Sequence, residues 1–396
     1  VCVIIDDYPT YTPSKIRDAA GRNLQVRVDA VDSNGIFPMN WAEKEFTTAY
    51  SFRKYVQKNI LDAFHTIPEK NPTQHREGDL RVSEEIIANL KDDLGFESTP
   101  LEWLWRVAEG GTVGNQAMEE FPIDHTVPAV ITSKGGVNEA RIRLQKFLNY
   151  RLNRYSTDRN NPDKPAVSGL SPWLHFGHIS SYEIIQNVLS KENWSPDSLN
   201  HEDTGKGTRS GWWGVSESAS SFLDQIITWR ELGFNFAYNR EDHATVETIP
   251  NWAKLSMKEH LNDDRIIYSL EELERAETHD EIWNAAQREL LRTGQMHNYM
   301  RMLWGKKILE WSPSPEIAAE NMIYINDKWA LDGRDPNSYT GIFWVLGRHD
   351  RAWGPERPIF GKVRYMSSES AYRKLKLKNY LQKYAKDENI TLAKFG

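Results

Sequence analysis

Four stretches of this 396-residue chain carry side chains whose types and spacing suit particular chemistry. In SGLSPWLHFGHIS (Ser168 to Ser180) the hydroxyls of Ser168 and Ser171, with Gly169 between them, sit in a predicted loop just before a helix. Free backbone N–H groups and hydroxyls there can hold a phosphate. His175 and His178 have the spacing of a metal half-site, but no further His, Asp or Cys ligands stand nearby to complete one, so no metal is expected. In FLDQIITWRELGFNFAY, Gln225 and Trp229 lie four residues apart on one helix face with Arg230 adjacent. An aromatic plate beside an amide can receive a flat heteroaromatic base, although spacing alone equally fits a core tryptophan and a surface glutamine.

Trp283, Trp304 and Trp311 are spaced 21 and 7 apart, and the last two share a helix face about two turns, or roughly 10 Å, apart. Such a separation suits core packing and also stepwise electron hopping. The fourth stretch, LDGRDPNSYTGIFWVLGRHDRAWGPERPIFGKVRYM (Leu331 to Met366), holds Asp332, Arg334, Asp335, Trp344, Arg348, Arg351 and Arg357 among many Gly and Pro. A long irregular segment of this kind is more often a site than packing. Its basic second half beside Trp344 suits a phosphate backbone next to an unstacked base.

The elements that must position these residues are mostly helices. VCVII and LQVRVDAV read as two short strands around a helical segment near Ser14 to Ala20, a βαβ fragment too small to form a covered sheet alone. Residues 41–136 read as a polar connector with helical patches such as Ser83 to Leu94 and a loop around Gly110, Gly111 and Gly114. From Val137 the periodicity is helical through Leu152 and Tyr155. Ser180 with Glu183 forms a capping box opening Ser181 to Leu189, and Ser314 with Pro315 opens another helix. Further helices are predicted at Ser218 to Tyr238, His279 to Arg292, Met296 to Trp311 and Ala371 to Ala385. The expected fold is mainly α: a large helical domain over 137–396 preceded by a partial α/β, Rossmann-like fragment over 1–40.

Composition limits the rest. Hydrophobic residues make up 39% and charged residues 27%, and no apolar run reaches the roughly 18 residues of a spanning helix, so no membrane partner is expected. The single cysteine, Cys2, excludes an internal disulfide framework or a cysteine-rich metal site, and an intracellular address is the default expectation. Fifteen tryptophans exceed ordinary usage. The net charge of −7 conceals a C-terminal stretch from Val345 with twelve Lys and Arg against five Asp and Glu, a local footing for a polyanion; solvated helix faces account equally for Arg373, Lys374, Lys376 and Lys378.

Taken together, SGLSPWLHFG, FLDQIITWREL, WNAAQRELLRTGQMHNYMRMLWGKKILEW and NDKWALDGRDPNSYTGIFWVLGRHDRAWG resemble, in order, the flavin-binding helical domain of the photolyase/cryptochrome family, most closely its class II cyclobutane pyrimidine dimer photolyases. The N-terminal fragment resembles the end of that family's α/β domain, so much of that domain is expected to precede it. The resemblance implies a U-shaped FAD, fully reduced when active; it does not identify an antenna chromophore. By position, Tyr155, Ser168, Leu170 and Ser171 would hold the FAD phosphates and ribose. Arg230, Asn298, Asn326, Asp332 and Asp335 would surround the rest, with Arg301 and Asp332 as an ion pair near flavin N5 and Asn326 at the isoalloxazine edge. Trp304, Trp283 and Trp311 would form the tryptophan chain. Trp229 and Trp344 would cradle a flipped dimer, and Arg348, Arg351, Arg357, Lys362 and Arg364 would track phosphates.

The implied reaction is light-driven repair of UV-damaged DNA by a chain expected to be monomeric: an electron passes from excited reduced flavin to the dimer, the ring splits and the electron returns. Three positions depart from the pattern. Gln225 stands where the family has a dimer-contacting glutamate, and an amide can donate a hydrogen bond but not a proton. Gly169 stands where class II enzymes place an asparagine against the lesion. Asn298 stands where they usually have glycine. The alternative expectation is therefore a photolyase-like flavoprotein without dimer repair, acting as a light or redox sensor or on another substrate.

Overall fold

The computed structural model describes residues 2–69, 105–107, 109 and 111–386. The chain forms two compact units, one of Val1–Ile67 with Val130–Asn389 and one of Pro68–Ala129 with Ile390–Gly396. The larger unit opens with β1 (Cys2–Asp6), α1 (Tyr11–Asn23) and β2 (Arg27–Val31), whose strands pair in parallel from Cys2 opposite Arg27 to Asp6 opposite Val31. This is the βαβ fragment expected from the two β-branched runs. Helix α1 buries no side chain, and Ile4, Ile16 and Val31 remain exposed.

Helix α2 (Ala49–His65) follows, and its Phe52, Val56, Ile60 and Ala63, spaced by three and four, enter the main core. The stretch reads as polar connector in sequence because Lys54, Lys58 and Asp62 occupy its other faces. Arg53 of this helix is buried as well, and its guanidinium meets both carboxylate oxygens of Asp224 at 2.7 and 3.1 Å.

In the smaller unit, α3 (Gly111–Glu119) is accompanied by an Arg106–Glu120 ion pair at 3.0 Å. Gly111 and Gly114 were expected in a loop and instead lie in this helix. At Gly114 a Cβ would meet the Val107 carbonyl oxygen at 3.1 Å, so glycine serves close packing there rather than a turn. The expected helix Ser83 to Leu94 lies outside the described residues.

Beyond Val137 the larger unit is helical. Helix α4 (Val137–Tyr150) buries Ala140, Leu144, Phe147 and Leu148. Helix α5 (Ser181–Lys191) starts at Ser180, whose Oγ accepts the Glu183 N–H at 3.1 Å; the Glu183 carboxylate turns instead to Arg141 at 2.6 Å, so half of the predicted capping box forms. Where one helix was expected from Ser218 to Tyr238, α6 (Glu217–Leu223) and α7 (Arg230–Asn239) are joined by a π-helical turn at Asp224–Trp229. Helices α8 (Glu281–Thr293), α9 (Asn298–Trp311), α10 (Pro315–Trp329) and α11 (Pro336–Val345) complete the site-bearing body, with Ser314 capping α10 as expected. The helix expected over Ala371 to Ala385 is two, α12 (Ser368–Lys374) and α13 (Lys378–Lys383). The backbone is extended at Leu375, and Asp163 restarts the helix by accepting the N–H groups of Asn379 and Tyr380 at 3.0 and 2.7 Å.

Helix α9 packs against α8, α10 and α11, and α11 packs against α7. Nine of the 14 residues of α9 are buried, so it is covered on opposite faces. Helix α7 holds the linker after β2 through buried polar side chains. Asn235 accepts the Phe46 N–H at 2.9 Å and donates to the Lys44 carbonyl at 3.0 Å, while Glu231 accepts the Ile36 N–H at 3.2 Å. These bonds satisfy linker backbone that would otherwise be buried unpaired.

Burial pushes the Glu231 carboxyl up to about 7, against the opposing influence of Arg230 and the N–H groups of Ile36 and Phe37. A folded-state pKa above the unfolded one means the folded protein binds the extra proton, so stability falls as pH climbs from about 4.5 to about 7. Thermal unfolding followed against pH is expected to show that decline, worth up to about 3 kcal/mol, in the wild type and a flatter profile in Glu231→Gln. Parallel profiles would assign the dependence elsewhere.

Candidate functional site

Two adjoining cavities lie among the helices of the larger unit. The smaller, about 240 Å³, is walled by Tyr155, Ser168, Leu170, Ser171, Arg230, Arg301, Asp332 and Asp335, with Leu174, Phe222 and Ile226 supplying apolar wall. The larger, about 780 Å³, is walled by Trp229, Asn298, Arg301, Trp304, Asn326 and Trp344, among others. Gln225, Arg301, Asn337 and Ser338 belong to both walls, so the cavities meet at these residues. Residues from helices distant in sequence converge here because α11 packs against both α9 and α7.

Charge at the junction is organised. Arg301 on α9 pairs with Asp332 at 3.1 Å. Asp335 begins α11: its Oδ1 accepts the Asn337 N–H at 2.9 Å, and its Oδ2 accepts from Tyr8 at 2.9 Å and lies 3.3 Å from His175 Nδ1. Burial alone would raise this carboxyl, but the hydrogen bond from His175, the Arg230 charge and the Asn337 N–H hold it below the usual carboxylate range. Its oxygens are engaged by protein groups, so Asp335 anchors the wall and joins it to the N-terminal fragment. Asn326 is buried and turns its amide nitrogen toward Asp327 at 3.3 Å. His178 accepts the Gly136 N–H at 3.1 Å, so His175 and His178 serve separate partners.

Two aromatic arrangements follow. Trp304 forms wall of the larger cavity, and its indole donates to Gln287 at 2.8 Å. Trp283 donates to the Trp304 carbonyl at 3.0 Å and meets Trp311 edge to face with ring centres 5.4 Å apart. Trp311 in turn contacts Tyr268 at 5.3 Å, and the Tyr268 hydroxyl lies 2.6 Å from His279 Nδ1. The three tryptophans are buried and Tyr268 is half-buried, so an aromatic path runs from the cavity outward. Its last members, Tyr268 and His279, stood in no motif. Trp229 and Trp344, both half-buried, face the same cavity, and Gln225 sits between the two cavities on the π-helical turn.

The basic residues divide into two sets. Arg351 and Arg364 line the larger cavity, Arg351 over Trp353 at 4.7 Å and Arg364 over Trp353 at 4.1 Å while pairing with Asp350 at 2.9 Å. Arg159, Arg209 and Tyr50 line it too, and sequence reading missed them because none belongs to a recognisable motif. Arg357 and Lys362 are exposed outside the cavity walls, with Lys362 paired to Glu356 at 3.1 Å. Arg348 corrects the sequence expectation: it is buried, paired with Glu45 and Thr248, and packed over the Phe236 ring at 4.5 Å. A guanidinium turned inward behind α11 cannot track a phosphate. Gly169 likewise stands outside both cavity walls; a Cβ there would point toward Arg143 Nη1 at 3.2 Å.

No protein-family model matches the chain. It is 39% identical over 369 residues to the deoxyribodipyrimidine photo-lyase of Methanothermobacter thermautotrophicus, an alignment covering 92% of this chain and 70% of that protein. The chain belongs to the photolyase/cryptochrome family. The photo-lyase of Oryza sativa subsp. japonica is 36% identical over 375 residues, covering 92% of this chain and 63% of that one. That of Potorous tridactylus is 39% identical over 289 residues, covering 72% and 48%. The alignments thus span from 48 to 70% of the length of these photolyases. The fold matches a class III photolyase from Agrobacterium tumefaciens (TM-score 0.59, 17% identity, 97% of this chain and 68% of that one) and the Synechocystis sp. PCC6803 cryptochrome (TM-score 0.63, 17% identity, 96% and 67%). Among the described residues no helix is long and apolar enough to cross a membrane.

The two basic sets are separable in solution. Arg348→Ala is expected to lower the unfolding free energy by about 2 kcal/mol, since it removes the guanidinium held by Glu45, the Thr248 carbonyl and the Phe236 ring and leaves Glu45 only its 3.5 Å pair with Arg240. Arg351→Ala, whose guanidinium lies over Trp353 on the cavity wall, is expected to leave stability unchanged within about 0.5 kcal/mol. Urea unfolding measures both. An Arg348→Ala protein as stable as the wild type would show that these inward contacts do not hold the fold.

Proposed function

We propose that this chain is the cofactor- and lesion-binding portion of a class II cyclobutane pyrimidine dimer photolyase. The observation that carries the reading is the junction of the two cavities. One compartment is walled by hydroxyls, two arginines and two carboxylates, the other by tryptophans and arginines; Arg301 and Gln225 line both, and Asp332 pairs with Arg301 from the smaller one.

FAD fits the residues present. Adjoining cavities of about 240 and 780 Å³ suit a folded dinucleotide, the Ser168 and Ser171 hydroxyls are donors suited to its diphosphate, and Arg230 stands on the same wall for the rest of the cofactor. Tyr155 and Leu170 would flank the ribose and phosphates. Arg301 with Asp332, Asn298 and Asn326 would surround the remainder, and Asp335 would hold the wall in place. When bound and reduced, the flavin supplies a light-driven electron to the dimer and takes it back.

The chain's own residues do the rest by position and polarity. Trp229 and Trp344 offer plates against which an extruded pyrimidine pair stacks, replacing part of the stacking lost from the duplex. Arg159, Arg209, Arg351 and Arg364 surround the larger cavity and would meet the phosphates on either side of the extruded residues, with Arg357 and Lys362 farther out. Gln225 reaches both compartments, so its amide can donate to a pyrimidine carbonyl while contacting the cofactor side. Lacking a titratable proton, it stabilises charge on the carbonyl by hydrogen bonding alone. Trp304, Trp283, Trp311 and Tyr268 provide the route by which the cofactor would be reduced from outside.

The test is illumination of the reduced protein with a thymine-dimer oligonucleotide while absorbance near the thymine band is followed. Recovery of that absorbance is expected, and Gln225→Glu is expected to accelerate splitting about tenfold or more, within the ordinary contribution of a placed proton donor. A protein that binds and reduces flavin yet gives no recovery, in either form, would identify a family member without dimer repair.

A further inference from the structure

Behind one of the two aromatic plates lies a lysine that no part of the site so far employs. Lys306 on α9 is fully buried. It follows Trp304 by two residues, so it leaves the helix on the opposite side and points to α11 rather than into the tryptophan path. Its Nζ donates to the carbonyl of Val345, the last residue of α11, at 2.6 Å, and lies 5.1 Å from the centre of the Trp344 ring. Gly305 makes the approach possible: a Cβ there would meet Val345 Cγ2 at 2.6 Å.

A buried ammonium is costly without compensation. Among the described residues no carboxylate forms an ion pair with Lys306. The nearby acid, Asp350, is paired with Arg364 at 2.9 Å. Compensation comes instead from the terminal carbonyl of α11, where a cation complements the helix dipole, and from the indole face. Burial still pulls the ammonium down to about 7, against the attraction of Asp350. Arg364 stands over the same ring at 5.5 Å, so Trp344 is held by two cations while its remaining surface faces the cavity.

We propose that Lys306 is a positioning residue for Trp344: it fixes the last turn of α11 and the indole it carries, so that the plate meets an extruded base without first being ordered. The inference rests on the reading of Trp344 as a stacking plate. Ordering the plate in advance removes an entropic cost from binding, and this benefits only ligands that stack on it. Lys306 therefore influences discrimination between damaged and undamaged DNA rather than general affinity for phosphate.

Binding of fluorescent thymine-dimer and undamaged oligonucleotides to the wild type, Lys306→Met, Trp344→Ala and the double variant tests this. Lys306→Met is expected to raise the Kd for dimer DNA about tenfold, to leave undamaged DNA unchanged, and to add nothing in the Trp344→Ala background. Lys306→Gln, which keeps a donor for the Val345 carbonyl without the charge, is expected to fall between wild type and Lys306→Met, and it serves as the readout if the methionine variant does not fold. Unchanged dimer affinity in both lysine variants would overturn the proposal while leaving the stacking reading intact. So would an equal loss with and without Trp344. Wild-type dimer affinity in Trp344→Ala alone would remove the stacking reading, and this proposal with it.

Discussion

Burial of helix α9 on opposite faces is the constraint around which the rest of the site is arranged. A helix covered in this way has no solvent to satisfy the polar groups it carries, so each must find a partner inside. Trp304 finds Gln287, its carbonyl receives the Trp283 indole, and Lys306 finds the end of α11. The first two bonds also set the orientation of an indole ring, and the third ties down the residue that follows Trp344. The tryptophans are thus oriented by the hydrogen bonds that make the burial of α9 tolerable, and one helix serves the aromatic path with one face and the plate Trp344 with the other.

The same economy governs the neighbouring elements. The π-helical turn at Asp224–Trp229 coincides with the buried Arg53–Asp224 pair, and it brings Gln225 to the meeting point of the cavities with Trp229 in the larger one. Such turns are frequent where a helix must re-aim side chains toward a site. Asp335 caps α11 and binds Tyr8 and His175, linking the cavity wall to the βαβ fragment. Ion pairs and caps here do double duty, closing helix ends while fixing the outline of the cavity. That explains how an interior with many polar groups keeps a defined shape.

Much of this organisation was legible in the sequence. The helices α4, α8, α9 and α10 follow from apolar spacing and from caps such as Ser314, and the parallel strands follow from two β-branched runs around a short helix. Many of the cavity-lining residues were legible because motif order, rather than any single motif, carried the resemblance; Tyr50, Arg159 and Arg209, which belong to no motif, were not. What escaped has physical causes. Helix α2 hides its buried stripe among lysines. The π-helical turn begins at Asp224, whose buried partner Arg53 lies 171 residues away in sequence. Arg348 reads as a surface cation because its neighbours Arg351 and Asp350 are partly open to solvent, whereas its own side chain turns inward. Lys306 and Lys307 are both buried, and nothing in the local pattern of α9 marks them as such. Pairwise contacts between distant segments decide such cases, and local pattern does not register them.

An electron route from the cavity wall along the aromatic path through Trp304 is open to transient absorption after a blue-light pulse on protein carrying oxidised FAD. A tryptophan radical is expected to appear as the flavin is reduced, and both signals are expected to vanish in Trp304→Phe with the flavin still bound. A radical of unchanged yield in Trp304→Phe would contradict it, because the cofactor would then be drawing its electron through another part of the wall.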